Sequence, residues 1–283
     1  MRTYLITGAN SGLGLETTRA LAAKGHRIIM AVRDLQRGEH ARDEILRQFP
    51  TAQLVLEHLD LLDLGSVSML ARKDLGVDVL INNAGIGSGP KRLSPQGILE
   101  QLATNHLGHF VLTGSMMEQL TTRRDARVVT VGSGFGKRGA LDLGNLDGGR
   151  GYLALWAYVQ SKLANSLFCA ELDRRLRARR SPVKSILVHP GLTATPMQQK
   201  AKGLEGLFTR AISAVFARPA AHGALPTIEA ATATTAQGGD VFGPGKAAFA
   251  RPRKEKSWPS MADLDGGRRL WARSEELAGV KFL

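Results

Sequence analysis

The chain is poor in cysteine and has no long apolar run, and each shortage excludes something. Cys169 is the only cysteine among 283 residues, so no internal disulfide can form, and no thiol cluster is available to a metal. It stands in a helical stretch, 164–176, and reads as a small buried hydrophobe. No apolar run nears the roughly 20 residues that would span a bilayer. No basic segment followed by an apolar one precedes the first strand, so neither a signal peptide nor an N-terminal anchor is expected, and the cytoplasm is the expected compartment. His106, His109 and His189 lack carboxylates or thiols at metal-site spacing, so no metal is expected. Repeats and low-complexity tracts are missing too.

Basic residues are plentiful by contrast. Lys plus Arg number 38 against 25 Asp plus Glu, a formal charge of +13 that would suit an anionic cofactor or an acidic partner surface. The clusters at 174–180 and 251–256 have no aromatic interleaving and read as solvated surface, with no nucleic acid implied. With 43% hydrophobic residues the chain can build a packed core, and its length suits one α/β domain over residues 1–283.

Tyr4-Leu5-Ile6 reads as a buried strand, Thr7-Gly8-Ala9-Asn10-Ser11-Gly12-Leu13-Gly14 as a tight turn, and residues 15–23 as a helix. Glycine tolerates the positive φ of such a turn and lets backbone N–H groups approach a pyrophosphate at the positive end of a helix. Gly8, Asn10, Ser11, Gly12, Leu13 and Gly14 are therefore candidate dinucleotide ligands. Further strands are predicted at 27–32, 54–59, 77–82, 128–132 and 183–189, alternating with helices at 13–24, roughly 36–48, 66–75, 98–120 and 157–180. That alternation predicts an α/β fold, a Rossmann-type doubly wound parallel sheet flanked by helices. Two stretches break the rhythm, a glycine-rich one at 134–151 and another at about 192–218. Both are loops expected near the carboxyl ends of strands, where open α/β sheets bind ligands, the second as a substrate lid.

In order and at intervals, the glycine loop, Asn82-Asn83-Ala84-Gly85, Asn105, Ser133, Tyr158 with Lys162, and Pro190-Gly191 make the chain resemble the short-chain dehydrogenase/reductase family from about residue 2 to residue 243. Ala31-Val32-Arg33-Asp34, Asn105-His106-Leu107-Gly108-His109-Phe110 and Ser161-Lys162-Leu163-Ala164-Asn165 are similar to its retinol dehydrogenase and protochlorophyllide reductase branch. The resemblance implies that Asn105 organises a water and the lysine into a proton relay, and that Lys162 holds the nicotinamide ribose. It implies that Asp60 and Leu61 lie near the adenine, that Asn83, Ala84 and Gly85 lie beneath the adenosine ribose, and that Pro190, Gly191, Leu192, Thr193 and Thr195 touch the nicotinamide and a phosphate. It also implies that the helices at 98–120 and 157–180 pair between subunits, as in a homodimer or homotetramer.

A phenol of pKa about 10 is a poor base at neutral pH. Lys162 stands at i+4 from Tyr158, on the same helix face, where its ammonium is expected to favour the phenolate. Ser133, at the end of a strand, can hydrogen-bond the substrate oxygen. Arg33 stands where NAD-preferring folds carry an acidic residue, which favours NADPH, and Asp34 beside it would weaken that preference if it faced the ribose. Phe135, Trp156 and Met197, with Tyr152 and Leu153, suggest an apolar pocket for a lipophilic ketone, aldehyde or polycyclic aromatic. Hydride transfer between NADPH and a small-molecule carbonyl is the expected activity, with Asn105, Ser133, Tyr158 and Lys162 as its catalytic residues. Two rivals are a catalytically silent NADP(H) sensor and a light-driven pigment reductase, the latter disfavoured by the single cysteine. The extension at 248–283, with Trp258, Trp271 and Phe282, could pack on a neighbour, complete its own core or cover the cleft.

Overall fold

A computed structural model describes residues 1–191, 219–245 and 251–283. Its strands are β1 (Thr3–Thr7), β2 (Arg27–Val32), β3 (Gln53–His58), β4 (Val79–Asn82), β5 (Arg127–Val131), β6 (Lys184–Val188), β7 (Val241–Gly243) and β8 (Arg253–Glu255). They form one sheet in the order β3-β2-β1-β4-β5-β6-β7-β8, parallel throughout except that β8 runs antiparallel to β7. The helices are α1 (Gly12–Ala22), α2 (Leu35–Gln48), α3 (Leu64–Ala71), α4 (Glu100–Leu102), α5 (Gly108–Ser115), α6 (Met117–Thr121), α7 (Ala154–Ala178), α8 (Ala220–Thr232) and α9 (Leu264–Ala278).

The central strands are mostly apolar on both sides because both faces of the sheet are covered. Leu5, Ile29, Leu80 and Val128 point to one face, where they meet Phe110, Phe168 and Trp271. Tyr4, Ile28, Met30, Val79 and Val129 point to the other, against Leu21 of α1, Ile45 of α2 and Ile228 of α8. The chain winds outward in both directions from β1 and β4, leaving a crevice at that switch point for a ligand.

The predicted strands agree with the structure to within two residues, and the doubly wound sheet is as expected. Three features differ. The helix expected over 98–120 is broken, because a wide i→i+5 turn, Ala103–Leu107, separates α4 from α5 and re-aims Asn105. The helix expected at 66–75 begins at Leu64, where Asp63 caps it by accepting from the Gly65 N–H at 2.8 Å. The third is the antiparallel edge strand β8, contributed by the C-terminal extension. The described part of that extension completes the chain's own core. Trp271 and Phe282 stand edge-on to Phe110 at 5.0 and 4.9 Å, and Trp258 is buried with Cys169, Leu187 and Val241. The expected lid, 192–218, lies outside the described residues.

At the amino edge of the sheet one carboxylate gathers three cations. Asp125 accepts from Arg2 at 2.6 Å, Arg127 at 2.7 Å and Lys184 at 2.7 Å, and so ties β1, β5 and β6 together. Arg127 is 1% exposed and also donates to the Ala230 carbonyl at the end of α8. Burial would raise the Asp125 carboxyl, but the hydrogen bonds from Lys184, Arg127 and Arg2 outweigh it and hold the group well below the usual carboxylate range. Its contribution is present above the unfolded-state pKa of about 3.9 and is lost as pH falls below that value. Asp125→Asn leaves Arg127 buried without its counter-charge, and is expected to cost roughly 3 kcal/mol of unfolding free energy at pH 7. Urea titration at several pH values should show the difference between parent and variant shrinking below about pH 4.

Candidate active site

The crevice is built around Thr7, the last residue of β1. Its Oγ1 accepts the main-chain N–H groups of Asn83 and Ala84, each at 2.9 Å, and its carbonyl accepts Asn83 Nδ2 at 2.8 Å. The ends of β1 and β4 are thereby locked together. Helix α1 crosses the intervening turn at Gly14, where a Cβ would lie 2.2 Å from the Gly8 carbonyl oxygen and 2.6 Å from Asn83 Nδ2, so only glycine permits the approach.

Ser11 holds the N-cap position of α1 with extended backbone but makes no side-chain cap, and no acidic residue occupies the first turn. Helices α2, α3 and α9 have Asp34, Asp63 and Asp263 as caps. The leading amides of α1, beside Gly8, Asn10, Ser11, Gly12 and Leu13, are left for an external anion, which is the demand of a pyrophosphate. At the end of β2, Asp34 accepts from the Arg37 N–H at 3.0 Å, while the exposed Arg33 guanidinium makes no ion pair with a described residue. Asp60 closes its own turn by accepting from Leu62 N–H at 3.0 Å. Leu61 is 5% exposed, its side chain spent on the core rather than offered to the crevice. The uncapped start of α1 fits the pyrophosphate of a dinucleotide.

The second half of the site stands beyond β5. Ser133 follows that strand, and the next turn presses onto α7 at Gly136, where a Cβ would lie 2.4 Å from the Lys162 carbonyl oxygen. This contact brings Ser133 beside Tyr158, where its hydroxyl works to lower the phenol's pKa. Lys162, 3% exposed, extends its Nζ to the Val131 carbonyl at 3.1 Å, which Asn165 Nδ2 shares at 3.2 Å. The geometry corrects one expectation. Burial raises the Tyr158 phenol above its usual value, offset in part by the Ser133 hydroxyl. Nζ lies 5.9 Å from the phenol ring centroid and is turned toward β5. Lys162 is itself shifted, its pKa lowered by burial to about 8.

Asn105, in the wide turn, is fully buried and not the surface residue that helix periodicity allows. Its Oδ1 accepts from Ile86 N–H at 2.7 Å, and its Nδ2 donates to the Ile86 carbonyl at 3.0 Å and to Ser161 Oγ at 2.9 Å. The Ser161 hydroxyl in turn donates to the Tyr158 carbonyl at 2.7 Å. A Cβ on Gly85 would be 3.0 Å from Asn105 Oδ1 and 3.6 Å from Lys162 Nζ, so Gly85, Asn105 and Lys162 enclose one small space. Asn105, Ser133, Tyr158 and Lys162 thus converge.

Phe135, half exposed, sits edge-on to the Tyr158 ring at 6.2 Å, and Trp156 is partly buried on the first turn of α7. The Tyr152 hydroxyl is engaged elsewhere, donating to the Gly89 carbonyl and accepting from Gln101 Nε2 at 3.1 Å, so it buttresses the cleft wall. A Cβ at Gly134 would meet nothing within 4 Å, leaving the flank of Ser133 open. Pro190 and Gly191 follow β6, whereas Leu192, Thr193, Thr195 and Met197 lie outside the described residues. Sequence reasoning passed over Thr7, Ile86, Ser161 and Asn165 as site builders. It also passed over Ser260 of the extension, which donates to the Gly136 carbonyl at 2.7 Å and so braces the Ser133 turn. Ser161 and Asn165 carried a signal, being within one turn of Lys162.

Residues 2–205 match the family described as short chain dehydrogenase. Human retinol dehydrogenase 12 is 34% identical over 99% of this chain and 87% of its own length, and human retinol dehydrogenase 11 is 39% identical over 67% and 60%. Among solved structures, an uncharacterised protein of Mycobacterium paratuberculosis superposes with a TM-score of 0.82 at 38% identity, covering 100% of this chain and 95% of that one. The chain therefore belongs to the short-chain dehydrogenase family, on the side of it that the retinol dehydrogenases occupy.

Proposed function

We propose that the chain is an NADPH-dependent reductase of lipophilic aldehydes or ketones, with Asn105, Ser133, Tyr158 and Lys162 as the reacting set. The observation that carries this reading is the convergence of Asn105, Ser133 and Tyr158 with a buried Lys162 at the mouth of a dinucleotide crevice. A nicotinamide dinucleotide held there supplies the hydride. The uncapped start of α1 would hold its pyrophosphate and Arg33 its 2′-phosphate, with Asp34 already committed to capping α2.

In the reducing direction the substrate oxygen acquires negative charge and then a proton. Ser133 donates to that oxygen, and Tyr158, kept protonated by burial, delivers the proton. Lys162 carries its charge at neutral pH and replenishes the phenol through the space it shares with Asn105. The raised phenol favours reduction, since the reverse reaction needs the phenolate. Phe135 beside Tyr158, with the exposed Leu153 and Leu155 at the start of α7, gives the entrance an apolar rim that supports a lipophilic substrate. The names of the retinol dehydrogenases place retinaldehyde on the panel to test.

Tyr158→Phe is expected to lower NADPH-dependent turnover by roughly 10²–10⁴-fold while NADPH binding, followed by fluorescence, persists. Arg33→Ala should weaken NADPH by about 10- to 100-fold and leave NADH nearly unchanged, as measured by titration of both cofactors. The reductive kcat/KM should hold through neutral pH and decline as Lys162 loses its charge above about 8, while alcohol oxidation gains from alkaline pH. A reductive profile that rises through pH 9 would exclude the charged lysine from the mechanism.

A further inference from the structure

His109 lies one helical turn beyond Asn105, 2% exposed, with both ring nitrogens in hydrogen bonds. Nδ1 is 3.1 Å from the main-chain carbonyl oxygen of Asn105, and Nε2 is 2.9 Å from Thr7 Oγ1. The partners decide where the protons sit. A carbonyl oxygen only accepts, so Nδ1 carries the hydrogen; a neutral ring then offers Nε2 as an acceptor, and the Thr7 hydroxyl donates to it at 2.9 Å in preference to the Ile81 carbonyl at 3.4 Å. The lone pairs of that hydroxyl oxygen are taken by the Asn83 and Ala84 amides. Polarity therefore runs one way, from two amides at the end of β4, through Thr7 at the end of β1 and the imidazole, to the carbonyl of Asn105.

A second proton on the ring would face an oxygen with no free lone pair. Burial, helped by the Lys162 charge and opposed by the Asn105 hydrogen bond, agrees, lowering the His109 pKa to about 4. Wide turns of this kind are rare and often mark functional sites. Here the side chain four residues on supplies a donor to the carbonyl in the middle of the turn.

We propose that His109 is a positioning residue, which sets the Asn105 carbonyl in register with the dinucleotide-binding ends of β1 and β4. The proposal rests on the role given to Asn105 above. Through His109, any displacement of Asn83 or Ala84 at the cofactor floor reaches the proton-handling side of the site as well. Packing alone makes no such demand, since a phenyl ring fills the same volume but neither donates to Asn105 nor accepts from Thr7.

The experiment compares His109→Phe and His109→Gln with the parent, reading kcat, KM, NADPH affinity and melting temperature. His109→Phe is expected to lower kcat roughly tenfold to a hundredfold with NADPH affinity little changed. His109→Gln keeps one donor and one acceptor, and should recover much of that rate at a comparable melting temperature. Unaltered kcat in His109→Phe, or equal losses in both variants that track melting temperature, would overturn the proposal. A readout independent of turnover is ¹⁵N NMR of the imidazoles. The parent should show a neutral ring protonated on Nδ1 that does not titrate between about pH 5 and 8 and vanishes in His109→Gln. A ring protonated on Nε2, or titrating near pH 6.5, contradicts it. Tyr158→Phe judges the reading beneath: if that variant keeps full turnover, the role given to Asn105 fails, while the NMR result still decides how His109 is bonded.

Discussion

The side-chain amide of Asn105 closes a two-bond ring with the main chain of Ile86 and gives its remaining hydrogen to Ser161, with Asn105 and Ser161 at zero exposure. It pairs with Ile86 as a neighbouring strand would, in a place where no strand exists. Three elements are joined by it: the segment after β4, the wide turn before α5, and the catalytic face of α7. An unsatisfied buried amide group costs about 1–3 kcal/mol, so each bond resists being broken in exchange for nothing. The turn that follows Ser133 is seated on α7 by the bare Cα of Gly136, and the two halves of the site meet there.

Burial acts on the reacting side chains in opposite senses. It raises the Tyr158 phenol and lowers Lys162, so both move toward their neutral forms. The pair is thus shifted chiefly by desolvation, and the i+4 spacing sets the ammonium over the phenol ring, 5.9 Å from its centroid. The Val131 carbonyl, shared by Lys162 and Asn165, is what orients the ammonium.

Much of this was legible in the sequence. The strands announced themselves as apolar runs, and Tyr158, Lys162, Ser133 and the glycine loop stood at spacings that chemistry requires. What stayed hidden depends on contacts that periodicity does not encode. The wide turn at Ala103–Leu107 carries a helical pattern on both sides, so the break in the helix did not show, although Asn105 itself was named by likeness. Leu61 was placed near the adenine by likeness, and the burial of its side chain in the core did not show in the sequence. The short strands β7 and β8 have three residues each, too few for an alternation to show. The tail left three placements open in the sequence. Burial of Trp258 and Trp271 chose among them for the described residues, and Ser260 and Ser274 then reach the Ser133 turn and His106.

Cys169 is sealed beneath Trp258 at zero exposure, and burial, eased a little by Ser185, pushes its thiol up to about 12. At physiological pH it carries no thiolate, the form that attacks electrophiles. Many lipophilic aldehydes are electrophiles, α,β-unsaturated ones above all. With its one sulfhydryl out of reach, the protein can hold such molecules without being alkylated at sulfur by them.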